Sequence, residues 1–174
     1  MDEPLPEETH EPDPGLAKPS GSGWAAVRRR VSSLHPPEVL MIVSGALFVI
    51  ATFLPWYEAS VGPLTVSETA WNVGVLGVMA ALCGLITTAV ASASPLGFGN
   101  ISTQTAALVG VVLAPATLFF TMLRVLIDPP GAAVTQFTLG LVKVSRGIGL
   151  WGALVLAVAM TGGAVRKYRA VALR

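Results

Sequence analysis

From Thr69 through Leu123 the chain carries no Asp, Glu, Lys or Arg. A soluble helix or strand shows water a polar face, so a charge-free run of this length marks chain immersed in lipid. Composition agrees. Soluble domains are about 25% charged, whereas here the charged share is 12%, the hydrophobic share 53% and the mean hydropathy +0.69. The acids gather instead in the first thirty or so residues, as in a tail left in water.

Within the charge-free run, two apolar stretches, about Ala70–Ala93 and Thr103–Ile127, flank the turn-rich Ser94, Pro95, Leu96, Gly97, Phe98, Gly99 and Asn100. Each exceeds the roughly 20 residues that a bilayer core demands. Pro115 falls inside the second of these and is expected to kink it. Another span is predicted before the run, from Glu38 to Tyr57. Pro36 and Pro37 suit its first turn, Glu38 complements its dipole, and Trp56 and Tyr57 form an interfacial belt. A last span, about Gly147–Val165, meets the basic stop Arg166, Lys167, Tyr168, Arg169. A signal peptide is the rival reading of the first span, and the acidic leader with three later spans favours a retained anchor. The expected fold is therefore an all-α membrane bundle of four helices, spans 38–57, 70–93, 103–127 and 147–165, within a domain covering residues 36–169.

Residues 1–23 alternate acids, prolines and small polar residues and are expected to be disordered. In residues 24–35, Trp24, Val27, Val31 and Leu34 recur at helical spacing around Arg28, Arg29 and Arg30. That pattern predicts an amphipathic helix on an anionic membrane surface, beside the alternative of a linker whose arginines only set topology. Arg28, Arg29 and Arg30 at one flank and Arg166, Lys167 and Arg169 at the other outnumber Lys143 and Arg146 opposite. The positive-inside rule then puts both termini in the cytoplasm of a multi-pass plasma-membrane protein. These cations sit beside apolar spans, not in an aromatic-laced patch, so nucleic acid is not an expected partner.

Between the spans, Tyr57, Ala59 and Val61, then Leu64 and Val66, alternate about Gly62 and Pro63, which predicts an extracellular hairpin over 57–61 and 64–69. Phe137, Leu139 and Leu141 alternate within Thr135–Ser145 and predict a third strand pairing with it in a small β-cap. Irregular loops are the competing expectation, since a period of two over so few residues is a weak signal.

Beyond Glu38 in the first turn of the first span, Arg124 is the one charge inside a predicted span. Intramembrane cations face partners, and Asp128 one turn on, or Glu58 and Glu68 in the first outer loop, are the candidate partners. Snorkelling outward to hold the loops and forming a ligand or ion site are the two roles open to Arg124. Cys83 is alone, which excludes an internal disulfide and the paired-cysteine membrane thiol oxidoreductases. His10, in the tail, and His35, at the cytoplasmic entry to the first span, lie too far from each other and from the cluster Glu58, Glu68 and Asp128 to form a site, so no catalytic, metal or cofactor site is expected and the chain reads as no enzyme. Gly74, Gly77, Ala81 and Gly84, with Gly110, Ala114, Gly149, Gly152, Ala153, Ala159 and Gly163, are packing positions for close helices.

Leu54-Pro55-Trp56-Tyr57 after the first span, Trp71 with repeated glycines, and Arg146-Gly147-Ile148-Gly149-Leu150-Trp151 opening the last carry a resemblance. Over about Pro37–Val165 the chain resembles small actinobacterial four-helix membrane proteins of unknown function, and it is similar in layout to the claudin plan. The claudin cysteine pair and Trp-Leu-Trp run are missing, so the resemblance implies architecture and a cell-envelope setting, not adhesion. The leading expectation is a non-enzymatic subunit or scaffold of an envelope complex, with a membrane-protein partner or a homo-oligomer. The alternative is a small oligomeric transporter or channel-like protein using Arg124 and the outer acids. A third class is a signalling anchor phosphorylated in the tail, at Thr9, Ser20 or Ser22, or beside the arginines at Ser32 or Ser33.

Overall fold

The computed structural model describes residues 35–96, 101–127 and 142–173. Among the described residues four helices and three strands follow in the order α1 (Pro36–Ala51), β1 (Tyr57–Val61), β2 (Leu64–Glu68), α2 (Val75–Leu96), α3 (Thr103–Leu126), β3 (Val142–Arg146) and α4 (Ile148–Ala172). Packing runs round the bundle, α1 on α2, α2 on α3, α3 on α4, and α4 back on α1. The expected tail over 1–23, all of 24–35 except His35, Asp128, and Phe137, Leu139 and Leu141 lie outside the described residues.

Three helices, α2, α3 and α4, are long and apolar enough to cross a membrane, and α1 is a shorter apolar helix of 16 residues. Their interior is small: Ala80, Ala81, Ala106, Ala114, Ala153 and Ala157 are buried, with Phe48, Met41 and Met160 filling the gaps. The bulk faces outward, as at Ile50, Phe53, Val112, Phe119 and Val155. Soluble bundles do the reverse. Close approach replaces bulk as the packing device, and a side chain on Gly84 would drive into the Phe48 ring.

The first helix stops at Ala51, short of the expected Tyr57. Tight turns carry the chain through Thr52–Leu54 to Pro55, whose ring cannot donate to a continuing ladder. Trp56 and Tyr57 are then buried at 0% and 3% exposure, which corrects the interfacial belt. Trp56 earns its burial by donating its indole N–H to the Ala51 carbonyl at 3.0 Å, one of the acceptors a helix end leaves open. The second helix begins at Val75, not Ala70, because the chain first turns through Gly74 at φ 102. It runs past Ala93 to Leu96, and α3 matches its expected extent with Pro115 inside it. The last helix continues through the basic stop to Ala172. Hydropathy marks where lipid ends, while Arg, Lys and Ala are good helix formers that let the helix go on.

The sheet is ordered β2-β1-β3, antiparallel throughout, so the third strand pairs with β1 at the centre. Register puts Glu58, Ser60, Thr65, Ser67, Lys143 and Ser145 on one face and Tyr57, Ala59, Val61, Leu64, Val66, Val142 and Val144 on the other. The root of the sheet is locked to the bundle. Gly147 donates to the Trp56 carbonyl at 2.8 Å and Gly149 to the Pro55 carbonyl at 2.9 Å. A Cβ at either glycine would collide with that Pro55 oxygen, so only glycine admits the approach.

Candidate functional site

At the sheet end of the bundle, Arg124 comes from the last turn of α3, Tyr57 from the first residue of β1 and Val73 from the turn before α2. Arg124 is 7% exposed and does not snorkel outward. Its Nη2 donates to the Val73 carbonyl at 2.8 Å, and its guanidinium carbon lies 4.7 Å from the centre of the Tyr57 ring. The Tyr57 hydroxyl returns the contact by donating to the Arg124 main-chain carbonyl at 2.7 Å. One helix end, one strand and one turn are thus joined by two hydrogen bonds, Arg124 to Val73 and Tyr57 to Arg124, and by a cation over an aromatic face. Burial pushes the Tyr57 phenol above its ordinary value, against the opposing pull of the Arg124 and Arg146 cations. The hydroxyl therefore stays a donor at neutral pH. Among the described residues the buried Arg124 Nε and Trp71 Nε1 have no hydrogen-bond partner.

Glu58 is half-buried in the middle strand, opposite Ser67 and Ser145, and Glu68 is exposed at the end of β2. Among the described residues neither forms an ion pair with Arg124, and Asp128 lies outside them. Tyr57, read in the sequence as an anchor, is what the structure brings to Arg124. No spacing rule links two residues so far apart in the chain.

At the opposite end, Arg166 and Arg169 are exposed, as a membrane-surface role requires. Lys167 is not: at 4% side-chain exposure it turns inward and binds Glu38 of α1 at 3.0 Å. That pair was open to inference, since an even number of up-and-down helices brings the start of the first and the end of the last to one side. Trp24, Arg28, Arg29 and Arg30 lie outside the described residues.

Through the bundle, hydroxyls bond back to their own helices: Ser44 to Leu40, Thr87 to Cys83, Thr117 to Leu113, Thr121 to Thr117 and Thr161 to Ala157. Each hydroxyl is therefore spent locally, with no hydrogen left to line a path. Among the described residues no group of His, Cys, Asp and Glu converges to hold a metal ion. No protein-family model matches the chain, nor does any curated protein or solved structure.

Proposed function

We propose that this chain is a non-enzymatic integral membrane subunit or scaffold of a cell-envelope complex. Its four helices cross the bilayer with the ends entering α1 and leaving α4 on the cytoplasmic side, and its β-cap meets a membrane-protein partner or a second copy on the other. The observation that carries the reading is strand β2, which forms an edge of the sheet with Leu64 at 71% and Val66 at 66% exposure. An edge strand that shows apolar side chains and open main-chain groups is a surface made for pairing.

Lipid as the solvent is supported by the inverted bundle, small residues within and Leu, Val, Ile and Phe without. Helix α1 reaches about 24 Å at 1.5 Å per residue, and the exposed Phe53 and Leu54 continue its apolar surface toward the other interface. The exposed Arg166 and Arg169, with Arg28, Arg29 and Arg30 before α1, support the orientation. Locally satisfied hydroxyls support a scaffold over a conduit. Leu54-Pro55-Trp56 locks against Gly147 and Gly149, so the two short motifs quoted for the resemblance to small actinobacterial membrane proteins meet at one joint of this chain.

Purification in a gentle detergent followed by mass spectrometry should yield a stoichiometric companion or a dimer. Leu64→Ser combined with Val66→Ser should strip that companion and leave helix content unchanged, since both side chains are exposed. A companion that survives this double change, together with solute flux lost in vesicles carrying Arg124→Ala, would establish a conduit instead. Labelling of a tag at either end from outside intact cells would overturn the orientation.

A further inference from the structure

We propose that the basic end of the bundle seats one anionic phospholipid, with its phosphodiester in the groove between the start of α3 and the end of α4. Two clefts lie along that seam and share Val171. One is bounded by Gln104, Ala107, Leu108, Tyr168 and Ala172, the other by Thr103, Lys167, Glu38 and His35. The first cleft is lined by polar Gln104 and Tyr168 together with apolar Ala107 and Leu108, and Gln104, Leu108 and Val112 form one stripe at steps of four down α3, with Val112 64% exposed.

Charge selects the headgroup. The first turn of α3 contains no acid, and its dipole presents positive potential where the Thr103 and Gln104 amides emerge. The Ser102 hydroxyl is occupied by the Thr105 amide. Among the described residues Glu38 is the acid of this seam, and it is bound to Lys167 at 3.0 Å, so each cancels the other. Exposed Arg169 remains, one helical turn from the groove residue Ala172, with Arg166 a further turn back. A phosphodiester there meets an arginine fork and a helix N-terminus together, while an acyl chain follows Leu108 and Val112.

The proposal rests on the membrane reading above. The full chain, purified in detergent with equimolar phosphatidylglycerol and phosphatidylcholine, is examined by native mass spectrometry. One retained phosphatidylglycerol is expected, enriched about tenfold over phosphatidylcholine, the scale for one or two cations beside a charged headgroup. Arg169→Gln should abolish the enrichment, and so should Ala172→Trp, which fills the groove and keeps every charge; circular dichroism confirms that both remain helical. Equal retention of the two lipids overturns the proposal. So does enrichment that survives Ala172→Trp, which would reflect surface charge alone, or displacement of the lipid by millimolar inorganic phosphate, which would mark a free-anion site. A chain that stays in water without detergent sinks the membrane reading itself, whereas one that inserts and shows no lipid preference sinks only this proposal.

Discussion

Tyr57 and Arg124 hold each other by their least variable parts, a phenol on a main-chain carbonyl and a guanidinium over a ring face. Tyr57→Phe keeps the ring under the cation and removes only the hydroxyl, so it should lower stability by about 1 kcal/mol, the net worth of one hydrogen bond. The same change has a signature in pH. Because burial raises the folded phenol above the ordinary value of 10.0, the folded state holds that proton more tightly than the unfolded state. Stability from this group is complete below the ordinary phenol range and declines as pH climbs through it toward the folded value. Denaturant titrations monitored by circular dichroism on the alkaline side should show the decline in the parent chain and a flatter profile in Tyr57→Phe. An equal slope in the two would remove Tyr57 as its source.

Joints between elements matter more here than the elements themselves, and the tightest is where α4 begins. Gly149→Ala pushes a methyl into the Leu54 and Pro55 backbone and should cost about 1–3 kcal/mol, the usual penalty of overpacking. Gly162→Ala, in open space on the same helix, should be neutral or gain up to about 1 kcal/mol through helix propensity. Unfolding of both variants in the same detergent makes the comparison, and similar losses would mean that the Pro55 contact is not special. Such joints explain what a sequence can and cannot reveal. The hairpin was legible because Gly62 and Pro63 punctuate a clean alternation, and α3 because a long apolar run follows the turn-rich Ser94 to Asn100. The end of α1 was not, since Leu54, Trp56 and Tyr57 read as more apolar span. Only the indole bond to Ala51 and the turn at Pro55 say otherwise, and those depend on tertiary placement. Arg124 stood out as a costly residue, yet its partners among the described residues, a carbonyl and a ring, carry no charge for a sequence pattern to match.

For the molecule as a whole, buried Lys167 paired with half-buried Glu38 ties the last helix to the first. Removing one member leaves the other with an unanswered charge, so Lys167→Met and Glu38→Gln should each destabilise, and the double variant should recover part of the loss. A coupling of about 1–3 kcal/mol is expected for neighbours in one buried pair; additive losses in reversible unfolding would show that the contact contributes nothing as a pair. Close seating of the same two helices continues at Gly163, where an added Cβ would press on Met41 and on the Pro37 carbonyl. Polypeptide entering α1 and polypeptide leaving α4 are therefore tethered side by side, and anything fused to one end is confined near the other at an effective concentration of the millimolar order. Two weakly attracted modules grafted onto these ends would find each other without any change in their own affinity, which makes the bundle a ready-made clasp.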